Sequence, residues 1–269
     1  MRIKATTALA ILALVALGLA GTAAGLPRYG VCHGHPATMA GTAGDDVLTG
    51  TAGDDVIVGF TGDDSLVGNG GNDFLCGGGG NDMLFGYDGD DYLDGGRGSD
   101  DLDGGEGNDT LLGGAGGDRI WAAPGEDLLD GGLGIDWASY DLIHSSVTID
   151  LAAHTVNPYS QVLAGFVQQT LFVENVQGSL YSDVIFGSNG PNEIRGLFGD
   201  DSIWGEGGSA HITGEAGDDL VYGGAGDDRI IGGRASDALY GEGGIDTVSG
   251  GAGTDVCGGD IINGCEAGP

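Results

Sequence analysis

Positive charge is nearly missing from this chain. Of its 269 residues only 8 are Lys or Arg, against 41 Asp or Glu, which leaves a net charge of −33. That field repels nucleic acid and anionic membrane surfaces and excludes both as partners. Aromatic residues are also few, at 7%, and high charge with low aromatic content is the usual composition of disordered chains. The competing reading is an ordered repeat that needs counter-ions to fold. Catalytic signatures are missing too: there is no His-Glu-x-x-His metal motif and no Gly-x-Ser-x-Gly nucleophile elbow.

Cysteine is limited to Cys32, Cys76, Cys257 and Cys265. An even number in an exported chain favours disulfides over metal ligands. Cys257 and Cys265 close a short loop, which leaves Cys32 for Cys76, although spacing alone allows three connectivities. Export itself is expected from residues 1–24. Arg2 and Lys4 precede an apolar run, Ala8 to Leu19, that ends in the small residues Gly21-Thr22-Ala23-Ala24, the pattern of a cleaved signal peptide. The alternative is a retained membrane anchor, because Ala5 to Leu26 carries no charge. Residues 25–40 read as a cap or linker.

What the chain has in abundance is glycine, 60 residues of it, at a fixed period of nine. Eleven units run from Gly41 to Ser139 without a slip, each with Gly at the fourth position. The sixth position is always Asp: Asp46, Asp55, Asp64, Asp73, Asp82, Asp91, Asp100, Asp109, Asp118, Asp127 and Asp136. The eighth is apolar, from Leu48 to Ala138. A second run of nine units, residues 178–258, keeps Asp183, Asp201, Asp219, Asp228, Asp237, Asp246 and Asp255 and lapses at Asn192 and Ala210.

One unit reads as a turn followed by a short strand. Glycines supply the turn conformations, and the last three residues, such as Val47-Leu48-Thr49, extend and point one large apolar side chain inward. Three residues bury no core alone, so units must stack. Two units then make one 18-residue coil of a parallel β-roll, an all-β solenoid with turns in two columns along its edges. Stacked sixth-position carboxylates sit ~4.8 Å apart and repel unless a cation lies between them. Oxygen-only donors select Ca²⁺ over zinc or copper, and over magnesium, which dehydrates reluctantly. The lapses at Asn192 and Ala210 fall in alternate units and hence on one edge, where ions should be lost.

The units GGGGNDMLF (Gly77 to Phe85) and GGEGNDTLL (Gly104 to Leu112) resemble the glycine-rich calcium-binding nonapeptide of the RTX, or haemolysin-type, family, over 180 residues. The resemblance implies a calcium-loaded turn in each unit. Its ligands would be the position-six carboxylate and the carbonyls of positions one and three: Asp82 with Gly77 and Gly79, Asp109 with Gly104 and Glu106. Asp or Asn at position five (Asp45, Asp54, Asn72, Asn81, Asn108) would serve turn geometry. The tail, residues 259–269 with Cys265, resembles endings of small exported actinobacterial repeat proteins. Large RTX toxins carry an uncleaved C-terminal export signal and avoid cysteine, so toxin activity does not carry over.

Residues 140–177 interrupt the repeat. Val147, Ile149 and Leu151 alternate as in a half-buried strand, and the length, near two coils, suggests irregular rungs that continue the roll. Asp141, His144, His154 and Glu174 lack any catalytic spacing and read as polar residues of a rung or linker. The expectation is therefore a secreted, non-enzymatic protein that folds on calcium and has a structural or adhesive surface role, with an extracellular glycan or protein as its partner. The alternatives are a calcium-stabilised extracellular enzyme or a polysaccharide-acting module. The latter requires carboxylates and aromatics gathered on one face, for which Trp121, Trp137 and Trp204 are candidates.

Overall fold

The structure, a computed structural model, describes residues 30–151, 169–171 and 173–265. Residues 1–29, on which the expected signal peptide falls, His154 and the last four residues lie outside them. Every described regular element is a strand, and all strand pairs are parallel except one short N-terminal hairpin, Val31–Cys32 with His35–Pro36. Each strand pairs with those one coil before and after: Leu48 stands beside Leu66, and Leu66 beside Leu84. The 18-residue coil expected from the period is the observed one.

The strands are longer than a three-residue reading allows. Typical ones, such as Ser65–Gly70 and Asp101–Glu106, run from position seven of one unit through position three of the next. The first three residues of a unit therefore continue the strand ladder, bent at position two by a left-handed residue such as Phe60 (φ 84°) or Tyr87 (φ 78°), and the rest of the turn occupies positions four to six. Position four adopts a left-handed backbone in most units, as at Gly80 (φ 132°) and Gly89 (φ 132°), which glycine does without a Cβ penalty.

The eighth-position side chains form one column from Ile57 to Val248, nearly all fully buried. Between two sheet faces so close there is room for one large aliphatic residue per half-coil. Each such burial is worth roughly 1.5–3 kcal/mol. One face is a single twelve-stranded sheet from Val47–Thr49 to Ile261–Asn263. The opposite face is divided into a seven-stranded sheet ending at Gln169–Leu171 and a six-stranded sheet beginning at Thr148–Asp150.

The division coincides with the interruption. On the twelve-stranded face Trp137–Ser139 pairs directly with Asn175–Gln177, so the interruption advances this sheet by one rung, where its length suggests two. On the other face Thr148–Asp150 and Gln169–Leu171 end their respective sheets. Disulfides close both ends. Cys32–Cys76 ties the hairpin to the second full rung of its face, and Cys257–Cys265 staples the last coil.

Candidate metal sites along the two edges

The position-six carboxylates lie where strand meets turn, and they stack into two columns. One runs Asp46, Asp64, Asp82, Asp100, Asp118, Asp136, and the other runs Asp55, Asp73, Asp91, Asp109, Asp127. In the second run Asp183, Asp201, Asp219, Asp237 and Asp255 form one column, and Asp228 and Asp246 belong to the other. Nearly all are buried.

One oxygen of each carboxylate has a structural task. Oδ1 of Asp82 accepts the backbone N–H of Asp64 at 2.8 Å, Oδ1 of Asp100 that of Asp82 at 2.7 Å, and the pattern repeats along both columns. Position five does the reverse. Oδ1 of Asp63 accepts the N–H of Asn81 at 2.7 Å, and Oδ1 of Asp90 that of Asn108 at 2.9 Å. Each turn is thus clasped from the coil before by position five and from the coil after by position six. Sequence reasoning missed both ladders, because spacing shows that these side chains stack but not which backbone amide they reach.

The second oxygen is different. Oδ2 of Asp64, Asp73, Asp82, Asp91, Asp100, Asp109, Asp118, Asp136, Asp201, Asp219, Asp228, Asp237 and Asp246 is buried and accepts no hydrogen bond. A buried carboxylate oxygen left this way is costly. It points at position one of its own unit. A Cβ added to Gly95 would meet Asp100 Oδ2 at 2.5 Å and the Gly113 carbonyl oxygen, one coil on, at 2.7 Å. Position one is therefore glycine for reasons of space, and its missing side chain is what lets carboxylate and carbonyl oxygens converge.

This arrangement fits a hard divalent cation: anionic and carbonyl oxygens, no nitrogen or sulfur, repeated at one-coil intervals. No three ligating side chains come together among the described residues, so backbone carbonyls must supply the rest of the coordination shell. Desolvation pushes the carboxyls of Asp82 and Asp136 up to about 6, those of Asp91, Asp100, Asp109 and Asp219 up to about 7, and Asp201 up to about 8. Neighbouring carboxylates in the column add to the effect, while the backbone N–H each accepts opposes it. A cation between the oxygens would remove that conflict.

Four positions depart from the pattern. Asp46 and Asp55 receive the N–H and hydroxyl of Thr42 and Thr51 on Oδ2, and Ser179 satisfies Asp183 similarly. The Thr51 N–H is the main reason that Asp55 sits below the usual carboxylate range. In the unit of Asp127, position one is Ala122, fully buried, whose methyl stands where the other units keep that space open.

The first column also has a gap, wider than the two lapses in the repeat. Asp136 donates its N–H to Glu174, Asn192 donates its amide to the Glu174 carbonyl oxygen, and Ala210 follows one coil later. Glu174, Asn192 and Ala210 are thus three consecutive steps on one edge without an Asp. The opposite edge keeps Asp183 through Asp255. As for the scattered histidines, His33 packs tilted against Tyr92 and His35 stacks on Phe74, with ring centroids 4.3 and 4.1 Å apart.

The family model of the RTX calcium-binding nonapeptide repeat (four copies) matches residues 40–75, 77–102, 103–138, 177–209, 209–239 and 231–261, well over half of the chain. The chain belongs to the RTX calcium-binding nonapeptide repeat family. No curated protein matches it. The matched stretches leave out residues 139–176 and cover both RTX runs, whose turns hold the converging oxygens. RTX nonapeptides are calcium-binding motifs, and calcium is the hard cation that the site's chemistry selects.

Proposed function

We propose that this chain is an exported RTX scaffold that calcium folds, with a structural or adhesive role at an extracellular surface and no catalysis of its own. The observation that carries the reading is the repeated buried Oδ2 beside a carbonyl oxygen one coil away. The residues best placed to hold calcium are Asp64, Asp73, Asp82, Asp91, Asp100, Asp109, Asp118, Asp136, Asp201, Asp219, Asp228, Asp237 and Asp246. Asp255 shares their register. Asp46, Asp55 and Asp183, already satisfied by Thr or Ser, and Asp127, facing Ala122, rank below them.

Bound calcium would supply charge neutralisation between stacked carboxylates, and the protein's own part is to dehydrate and align its oxygens. Without the ion the columns carry too much buried charge to close, so folding and binding are one event. Where free calcium is low the chain stays unfolded, and where it is high the roll forms, which suits a protein that folds after export.

Calorimetric titration of chelator-treated protein tests this, followed in parallel by circular dichroism. Several calcium ions per chain should bind as strand signal appears. Full strand signal in excess chelator at neutral pH would refute the folding switch.

A further inference from the structure

The twelve-stranded face carries a groove of about 490 Å³ over the four rungs around the interruption. Its walls are Trp121 and Trp137, with Arg119 at one end, Arg195 and its ion-pair partner Glu193 at the other, and Ser139 and Gln177 between. Only five of the chain's eight basic residues lie beyond residue 29, and two of them meet here. The repeat does not require any of these side chains, since positions seven and nine point outward from the coil.

The groove is built rather than incidental. Arg195 lies 4.8 Å over the Trp137 ring and pairs with Glu193 at 2.6 Å, so its guanidinium is fixed from two sides. Gln177 donates its side-chain N–H to Ser139 at 3.3 Å, and Ser139 donates onward to Asp141 at 2.8 Å. Arg119 is exposed and makes no ion pair; Arg195–Glu193 is the one salt bridge among the described residues. Trp121 makes no ring contact with another aromatic among the described residues. By contrast Phe186, Trp204, Tyr222 and Tyr240 on the other face stack on each other, with centroids 4.8, 6.0 and 5.1 Å apart, and so use up their own faces.

We infer that this groove binds a short acidic oligosaccharide, one whose sugars carry carboxylates. The Trp121 indole face suits the weakly positive C–H face of a pyranose ring, while Arg195 already covers one face of Trp137. A free guanidinium suits a carboxylate, with which it can make paired hydrogen bonds. The four rungs span roughly 15 Å of rigid strand, enough for a few sugar units held by groups that do not move. A long polyanion is excluded by the field of a molecule at −33, so the ligand is short or engages through a terminal segment. The inference deepens the proposed surface role and rests on the calcium-folded roll.

The test is calorimetry of the full chain in constant excess calcium, with trigalacturonate and its methyl-esterified trimer as probes and circular dichroism as the fold control. Trigalacturonate should bind more tightly than the ester. Arg119→Gln should weaken it at least tenfold, while Arg229→Gln, on the same sheet outside the groove, should not. Trp121→Ala should weaken both trimers. A folded chain that binds neither, equal loss in the two arginine variants, or equal competition by a short glutamate peptide would overturn the proposal. Strand signal indifferent to calcium would instead count against the folding switch, and the titration would still decide the groove.

Discussion

Ala235 occupies a fourth position, where most units adopt a left-handed backbone, and it takes φ 80° with a side chain present. The left-handed region costs a residue with a Cβ about 1–2 kcal/mol. Ala235→Gly should recover about 1 kcal/mol of that, seen as a raised midpoint in thermal melts in calcium. The buried carboxyls make a second prediction at this scale. Their folded values lie near 6 to 8, above about 3.9 for a free Asp, so the folded apo chain binds more protons than the unfolded one. Its stability is greatest below the unfolded value and is lost as pH rises through 6 to 8. In chelator, strand signal should therefore grow as pH falls from 8 towards 5. In calcium the dependence reverses, because protonation removes the ligand charge and calcium affinity should fall over the same window. Acidification that weakens the chelated form would contradict this.

At the scale of the coil, the close approach of position one and the single apolar side chain of position eight are separable. In Gly95→Ala the new methyl would contact Asp100 Oδ2 and the Gly113 carbonyl oxygen, so calcium stoichiometry should drop by the sites sharing those oxygens, with other turns unaffected. In Leu102→Ala, a fully buried column residue, the loss should be about 2–5 kcal/mol of stability in saturating calcium, with the ion count unchanged. The coil itself was legible in the sequence, because a strict nine-residue register leaves one arrangement that buries Leu84, Leu93 and Leu102 together. The strands' extension through position three was not. Glycines there read as turn formers, yet Gly77 and its equivalents are glycine so that oxygens can approach. The clasps by Asp63 and Asp82 were illegible for a related reason, since their partners are backbone amides, which leave no mark on residue identity.

For the whole molecule, the gap at Glu174, Asn192 and Ala210 separates the calcium sites of one edge into two groups. Solenoids fold as chains of neighbouring units whose coupling sets their cooperativity. Restoring carboxylates in the double variant Asn192→Asp, Ala210→Asp should raise the calcium count and sharpen the calcium-induced transition; an unchanged transition would mean the gap does not limit coupling. The alternation of edges was readable from the period, and it placed both lapses in one column. That Glu174 joins them was not, because it depends on how many rungs the interruption occupies. The groove was equally hidden: Trp137 and Arg195 are distant in sequence and become neighbours only because the interruption advances the long sheet by a single step.

That single step has a mechanical side. A rod that is unbroken along one flank and divided along the other is not equally stiff in all directions. Bending that stretches the twelve-stranded flank must pull on hydrogen-bonded ladders throughout, whereas among the described residues no ladder joins the two sheets of the divided flank at Thr148–Asp150 and Gln169–Leu171. Under load the molecule should flex like a ruler hinged on one side, with the pivot beneath the groove, so that tension along the rod would narrow or widen the place where its two tryptophans sit.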